Sequence, residues 1–363
     1  MVRMESILGL RHSFRKVFCN PRCIGILVSL PFFYLLLCPS FAKAADVTST
    51  VMVGDSRIDV TIESSEAPIS QSDVMKWVQN AAESVTAYYG HFPVPHLTLR
   101  VVSFDGTGVR HGMTWAREGG LIRIFAGGKT SAEDFADDWM LTHEMIHLAF
   151  PSMADENHWI EEGISVYVEP IARIRAGHWT ALKMWNDLVR DMPKGEPEEG
   201  DAGLDHTHTW GRTYWGGALF CFVADVEIRK QTKNKEGLED ALRGILQVGG
   251  DIRVDWSLER TLGIGDKSVG LLVLEKLYAE WKDKPVQVDL PAMWKGLGVV
   301  VNGGAVELKE DAPLSAVRRA IEMGTPATKS RSKADDGASA RKNEAKLKVR
   351  PMAVFAGRKT GSN

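Results

Sequence analysis

The feature that most constrains this chain is the segment His143-Glu144-Met145-Ile146-His147. On an α-helix, residues four apart project from the same face, so both imidazoles could bind one metal ion. Glu144 would lie beside them, close enough to accept a proton from a metal-activated water without being a ligand. The surrounding residues are largely apolar, and unpaired His and Glu would be costly to bury there. The pattern therefore predicts a metal-binding helix that also carries a catalytic base.

A second acidic segment, Trp159-Ile160-Glu161-Glu162-Gly163, follows after a short connection. Catalytic zinc typically takes three protein ligands and leaves a fourth position open. A carboxylate from this neighbouring helix would complete such a set, and the residues alone leave Glu161 and Glu162 as alternatives. We therefore expect one Zn²⁺ per chain, although another borderline ion is compatible with the same ligands.

The N-terminal part of the chain shows patterns of both strands and helices. Alternating and continuous apolar runs predict strands, and a 3.6-residue apolar period predicts helices. A helix from the capping box Thr130-x-x-Glu133 to Pro151 would carry the metal motif, and another would begin near His158 and be interrupted or end at Pro170. The other predicted elements here are a hairpin at Val51–Val53 and Ile58–Ile62, a helix from Ser72 to Gly90, and strands at Leu97–Val102 and Leu121–Phe125.

The C-terminal part is predominantly helical in its patterning. Residues 186–213 are rich in Pro, Gly and acids and are predicted to form a long surface loop. Helices are then expected at 215–231, 236–247, 255–263, 268–282 and 314–323. This order predicts an α+β fold, with an α/β lobe at residues 45–155, a mainly helical lobe at 156–324 and a cleft between them.

Both termini differ from this body. Residues 1–44 have a basic start, an apolar stretch at 24–37 and the Ala-x-Ala pattern Ala42-Lys43-Ala44, which predict a signal peptide cleaved before Ala45. The apolar stretch is about 14 residues, short for a bilayer span. We therefore expect an exported protein, periplasmic or secreted, with an uncleaved membrane anchor at 24–37 as the alternative. Residues 325–363 are polar and basic and are predicted to be disordered.

The charge distribution argues against one class of partner. The net charge of −3 includes the excess of bases at both termini, so the body between them is strongly acidic. An acidic body repels nucleic acid, which we therefore do not expect as a partner. A membrane is expected as a partner only if the signal segment stays attached.

The motifs resemble those of the gluzincin peptidases, which include aminopeptidase N-like and glycyl-aminopeptidase-like enzymes. In those families the two histidines are followed by a Trp-x-x-Glu-Gly segment whose Glu binds zinc, which here matches Trp159, Glu162 and Gly163. The resemblance implies a thermolysin-like zincin fold, with an N-terminal mixed sheet, the metal helix and a C-terminal helical lobe. It also implies a zinc peptidase that acts on peptides or proteins, with His143, His147 and Glu162 as ligands.

The resemblance extends to Tyr214-Trp215-Gly216-Gly217. In these families a Tyr just before Gly residues and a buried helix donates a hydrogen bond to the oxyanion, a role that would fall to Tyr214. A tyrosine with a purely structural role is the alternative. His208, in the preceding segment, could supply a second oxyanion donor or a metal contact, and a solvated loop residue is the other interpretation.

One departure from the aminopeptidase N-like pattern affects the expected specificity. Those enzymes carry a Gly-x-Met-Glu-Asn segment whose Glu binds the free amine of the substrate. The counterpart here, Gly112-Met113-Thr114-Trp115, has no carboxylate at that place, although Glu118 lies nearby. We expect it to form an edge strand that pairs with the substrate backbone, and we expect no strict requirement for a free N-terminus.

Two other functions are compatible with these residues. An inactive peptidase-like module could bind zinc and peptides without cleaving them, but zinc binding alone does not require Glu144. The same metal chemistry could also hydrolyse a non-peptide amide.

Overall fold

The N-terminal strands form one mixed sheet in the computed structural model, which describes residues 46–63 and 67–325. The strands are β1 (Val47–Val53), β2 (Ser56–Glu63), β3 (His96–Phe104), β4 (Val109–Trp115) and β5 (Leu121–Gly127). Their order across the sheet is β1-β2-β3-β5-β4. The pairs β1-β2 and β4-β5 are antiparallel, whereas β2-β3 and β3-β5 are parallel. The predicted hairpin and strands are confirmed, and β4 is an edge strand as expected.

The first helix, α1 (Gln71–Tyr89), contributes to the core beneath this sheet. Its buried residues recur at helical spacing because the helix packs against neighbours along one side. The Ser70 side chain accepts a hydrogen bond from the amide of Asp73 and begins the helix, and Gly90 ends it with φ 86°. The predicted helix is confirmed, but its N-cap is Ser70 and not Ser72.

The predicted single helix from Thr130 to Pro151 is wrong, because the chain forms two short helices there. These are α2 (Ala132–Asp137) and α3 (Met140–His147), and the capping box of α2 joins Ser131 to Asp134. Asp138 separates them in an extended conformation. Its carboxylate accepts hydrogen bonds from the indole of Trp77 (2.9 Å) and the amide of Leu141 (3.2 Å). These contacts end α2 and fix the start of α3.

The next helix, α4 (His158–Arg175), continues through Pro170 and does not end there. The chain then forms α5 (Ala181–Asp191), capped by the side chain of Thr180. The predicted loop at 186–213 is therefore wrong at its start, where α5 buries Trp185 and Leu188. It is also wrong at its end, because residues Gly211–Gly216 form a π-helical turn.

The remaining predicted helices are present with shifted ends, and two further elements were not predicted. The predicted helix at 268–282 begins six residues later, because Gly270 ends the preceding helix with φ 69°. A helix around Trp294 and a short hairpin after it are the unpredicted elements. The predicted and unpredicted elements after Gly216 together are α6 (Gly217–Thr232), α7 (Leu238–Gln247), α8 (Leu258–Val269), α9 (Leu274–Trp281), α10 (Leu290–Leu297), β6 (Val299–Asn302), β7 (Ala305–Leu308) and α11 (Ser315–Met323).

Two sequence predictions lie outside the described residues. They are the signal segment at 1–44 and the basic tail, which is described only at Thr325. The division into lobes at residue 155 stays a prediction. Across residues 46–63 and 67–325, none of the helices has the length and apolar character that crossing a bilayer requires.

Candidate metal centre

Helix α3 presents His143 and His147 on one face, one turn apart. Their ring centroids are 4.9 Å apart and their Nε2 atoms are 3.3 Å apart. His143 is buried and the His147 side chain is 14% exposed, so both rings are largely withdrawn from solvent. The two nitrogens therefore point toward a common position, as the spacing in the sequence predicts.

Helix α4 brings Glu162 to the same position. Its Oε2 lies 3.0 Å from Nε2 of His143 and 3.7 Å from Nε2 of His147. Glu161 points elsewhere, because its carboxylate accepts from the amide of Met153 (3.3 Å) and contacts Nδ1 of His158 (3.1 Å). Of the two glutamates that the sequence left open, Glu162 is the one that the fold brings to the histidines.

The geometry of these three atoms fits a zinc ion. Zinc bonded tetrahedrally at about 2.0–2.1 Å holds its ligand atoms about 3.3 Å from one another. The observed separations of 3.0, 3.3 and 3.7 Å bracket that value. Burial lowers the pKa of His147 to about 4, whereas burial of His143 is outweighed by its contact with Glu162, which raises the pKa of His143. A bound metal ion would require both imidazoles to be neutral. The donor set of two imidazoles and one carboxylate is typical of catalytic zinc.

Two further side chains contact the proposed ligands. The hydroxyl of Ser165 lies 3.2 Å from Nδ1 of His147, and Nε2 of His158 lies 3.2 Å from Oε1 of Glu162. Hydrogen bonds to Glu161 and Glu162 raise the pKa of His158 to about 10. The sequence predicts His158 only as the residue near which the helix begins, although its spacing of four residues before Glu162 on a helix could have indicated this contact.

The carboxylate of Glu144 lies beside this cluster but is not part of it. The residue is 7% exposed, and its Oε2 accepts a hydrogen bond from the hydroxyl of Thr114 on β4 (2.5 Å). Burial raises the pKa of Glu144, and the nearby His143 and the Thr114 hydrogen bond oppose that shift. A raised pKa makes a carboxylate a better proton acceptor.

Tyr214 reaches the cluster from the π-helical turn Gly211–Gly216. Its ring lies nearly parallel to that of His143, with centroids 6.4 Å apart. Burial and the carboxylates of Glu162 and Glu144 raise the pKa of Tyr214 to about 12, so its hydroxyl keeps its proton. The hydroxyl can therefore donate a hydrogen bond at neutral pH.

A close helix contact places Tyr214 near Glu162. Gly163, which directly follows Glu162, packs against Gly217 at the start of α6. A Cβ on either glycine would overlap the backbone of the other helix. Because both residues lack a side chain, α4 and α6 approach closely enough for Tyr214 to contact a residue of the cluster.

The outer parts of the site are aromatic. Trp139 packs edge-on against His143 (5.4 Å between ring centroids), and Trp210 stacks on Tyr214 (5.9 Å). The two indoles are 47% and 54% exposed, so they offer apolar surface to a ligand. His208 is exposed and lies outside the His143–His147–Glu162 cluster, so its role stays a prediction.

Comparison with known proteins shows similarity at the level of the fold. No protein-family model and no curated protein matches the chain. An aminopeptidase N family protein from Idiomarina loihiensis is similar in structure, with a TM-score of 0.55 and 12% identity over 71% of this chain and 50% of its own. An M1 zinc metallopeptidase from Deinococcus radiodurans aligns with a TM-score of 0.45 and 14% identity over 68% of this chain and 53% of its own.

The chain thus spans about half the length of these structures. At 12% identity, the first of them establishes the fold. The predicted α+β fold, with an N-terminal mixed sheet and a C-terminal helical lobe, is confirmed.

Proposed function

We propose that this protein is a zinc-dependent peptidase. The observation that carries the proposal is the convergence of Nε2 of His143, Nε2 of His147 and Oε2 of Glu162 within 3.0–3.7 Å, with the carboxylate of Glu144 beside them. These three side chains would hold one zinc ion. When bound, zinc supplies a Lewis acid that polarises a carbonyl and increases the acidity of a water.

Glu144 would act as the general base. It would take a proton from the attacking water and pass it to the nitrogen of the leaving amine, so that one carboxylate serves both halves of the reaction. Its burial and raised pKa support this role, because they favour proton acceptance. Its position outside the ligand cluster also supports it, since a ligand carboxylate would not be free to accept a proton.

Tyr214 would stabilise the negative charge that develops on the scissile carbonyl oxygen. Burial and the nearby carboxylates of Glu162 and Glu144 raise its pKa to about 12, so the hydroxyl keeps the proton that it would donate. A hydroxyl aimed at the position where charge develops lowers the barrier more than one that must reorient from solvent. The stacking of Tyr214 on Trp210 and its proximity to His143 support this role, since they restrict the ring.

The substrate would bind as an extended strand beside β4. This strand ends the described sheet, so its outer edge offers backbone groups to a peptide. Thr114 on the same strand contacts Glu144, so a peptide bound there would run past the base. We propose that N-terminally blocked peptides are cleaved at rates comparable to free ones, because Gly112–Trp115 contains no acid to bind an amine.

A hydrolysis assay on casein and on paired free and N-acetylated peptides tests the proposal. Activity should disappear on treatment with a chelator and return on addition of zinc. Zinc binding without hydrolysis of any peptide would favour the inactive module instead. Cleavage of free peptides alone would indicate an aminopeptidase and would direct attention to Glu118 as the amine-binding acid.

We also propose that the chain is exported, on the basis of the basic and apolar pattern of residues 1–44. Mass spectrometry of the periplasmic or secreted form should find an N-terminus at or near Ala45. Soluble cytosolic protein that retains Met1 would contradict export, and membrane-bound protein with an intact N-terminus would support the anchor.

A further inference from the structure

We infer that Thr114 is a positioning residue for Glu144, an inference that rests on the proposed function. Its hydroxyl oxygen lies 2.5 Å from Oε2 of Glu144 and 3.1 Å from the backbone oxygen of the same residue. The first distance is that of a hydrogen bond to an ionised carboxylate, which is stronger than a neutral one. A strand of the sheet thus holds the side chain that is proposed to move the proton.

Gly112 provides the room for this arrangement. A Cβ built on Gly112 would overlap the carboxylate of Glu144, so the strand can lie over this side chain only because that position is glycine. Gly112 and Thr114 are two residues apart on a strand and therefore face the same side. One of them leaves space for the carboxylate and the other holds it.

A bulge in β4 directs both residues toward α3. The pairing of β4 with β5 shifts register between Arg110 and Gly112, and His111 between them has φ 49°. A bulge re-aims the side chains that follow it, and such irregularities are common beside active sites. The positive φ of a non-glycine residue is also costly unless the surroundings impose it. The local backbone is thus shaped so that Gly112 and Thr114 meet Glu144.

The consequence for the reaction concerns the orientation of the base. Glutamate has several rotatable bonds, and a proton acceptor displaced by about 1 Å can lose roughly a hundredfold in rate. Because Thr114 donates a hydrogen bond to Oε2, it fixes the orientation of the carboxylate. Oε1 is then the oxygen that receives no hydrogen bond from Thr114. The same strand would bind the substrate, so base and substrate would be positioned by one element.

Two substitutions of Thr114 test this role against a purely structural one. Thr114→Val keeps the shape but removes the hydroxyl, and should lower kcat about 10- to 100-fold with KM within about twofold and unchanged zinc content. Thr114→Ser restores the hydroxyl and should keep kcat within about threefold of the wild type. A kcat within twofold for the Val variant, or an equal loss in both variants, would overturn the inference.

Gly112→Ala provides a second variant, because its methyl group would displace the carboxylate without removing the hydroxyl. We expect a loss of kcat similar to that of Thr114→Val. Gly296→Ala is the matched control. A Cβ there would make ordinary van der Waals contact with Leu314 and would not touch Glu144. Equal kcat in Gly112→Ala and Gly296→Ala would contradict the close approach of the strand to Glu144.

A double-mutant cycle makes the test independent of activity. Urea unfolding of the metal-free chain should show that Thr114→Val and Glu144→Ala are coupled by about tenfold or more in the unfolding equilibrium constant. If the wild type hydrolyses peptides but the coupling is below twofold, the inference about Thr114 is wrong and the proposed function still stands. Clear coupling in a chain that hydrolyses no peptide would instead refute the proposed function.

Discussion

Two clusters of buried ionisable groups differ in how their charges are compensated. In one, Arg229 on α6 lies 2.9 Å from Asp225 and 2.6 Å from Glu239 on α7, so a cation of the chain balances buried carboxylates. In the other, Glu162 pairs with histidines. Buried charge requires such compensation. The Arg229 cluster obtains it from the chain alone, and we infer that the Glu162 cluster obtains it from His158 together with a metal ion.

The contrast assigns different consequences to substitutions in the two clusters. Changes around Arg229 should lower the free energy of unfolding and leave the activity of each folded molecule intact. Changes around Glu162 should lower metal binding or turnover with less effect on stability.

Replacement of the proposed base should have the largest effect. Glu144→Gln removes proton acceptance while keeping size, so kcat should fall about 10²- to 10⁴-fold with zinc content unchanged. Steady-state kinetics and metal analysis of the same preparation measure both quantities. Glu161→Gln, one residue before the proposed ligand and hydrogen-bonded elsewhere, is the matched control and should retain activity. Comparable kcat values for Glu144→Gln and the wild type would remove Glu144 from the mechanism.

The Arg229 cluster should show the opposite behaviour. Glu239→Gln leaves a buried cation partly uncompensated and should lower the free energy of unfolding by about 3–5 kcal/mol. Urea unfolding measures the loss, and kcat of the folded fraction should not change. Glu307→Gln, which breaks an exposed pair with Lys309, should leave stability unchanged. A Glu239→Gln variant that is as stable as the wild type but inactive would reverse our assignment of the two clusters.

The same cluster predicts a pH dependence of stability. Burial opposes ionisation of Glu239, but the charges of Arg175 and Arg229 and its hydrogen bonds outweigh burial and lower its pKa to about 2. The folded pKa is below the unfolded value near 4.5, so the stabilisation is complete above that value and is lost as the pH falls toward 2. The difference in stability between the wild type and Glu239→Gln should therefore shrink below about pH 4. A difference that stays constant to pH 3 would contradict this assignment.

Tyr214→Phe removes one hydroxyl from the site. If that hydroxyl stabilises the oxyanion, kcat should fall about 10²- to 10³-fold while zinc content stays the same. Tyr278→Phe is the matched control, because the Tyr278 hydroxyl donates a hydrogen bond to Asp205 (2.7 Å) and lies outside the site. Its loss should affect stability alone. An unchanged kcat in Tyr214→Phe would make His208 the next candidate for the oxyanion donor.

His158→Ala should have the smallest of these effects. His158 contacts Oε1 of Glu162, whereas His143 and His147 contact Oε2 of the same carboxylate. Loss of such a contact to a ligand typically weakens metal binding 10- to 100-fold. Competition with a chromogenic chelator measures the affinity. His178→Ala, a histidine paired with Glu83, should bind zinc like the wild type. Equal affinity in both variants would limit the role of His158 to the start of α4.

The sequence predicted the parts of the site that depend on local spacing. The alignment of His143 and His147 follows from helical geometry, and Glu162 follows from the motif beside it. The break at Asp138 could not be predicted, because it depends on Trp77, which is 61 residues away in sequence. The contact between Thr114 and Glu144 likewise joins a strand to a helix 30 residues later. Such long-range contacts leave no periodic signal in the sequence.

The prediction of a loop at 186–213 was wrong for a related reason. The residues of α5 are polar on one side, but Trp185 and Leu188 are buried by elements that lie far along the chain. Trp185 packs on Trp294 and its indole donates to Glu322 at 2.7 Å. Tertiary packing thus determined a helix where composition indicated a loop.

The zinc content of the purified protein tests the proposed metal centre. The wild-type protein, purified without chelator and analysed by mass spectrometry of its metals, should contain about one zinc per chain. Glu161→Gln should retain that zinc, and Glu162→Gln should lose most of it, because only Glu162 faces both histidines. A wild-type chain that binds no zinc when supplied with it, or a site that depends on Glu161 and not on Glu162, would contradict the account.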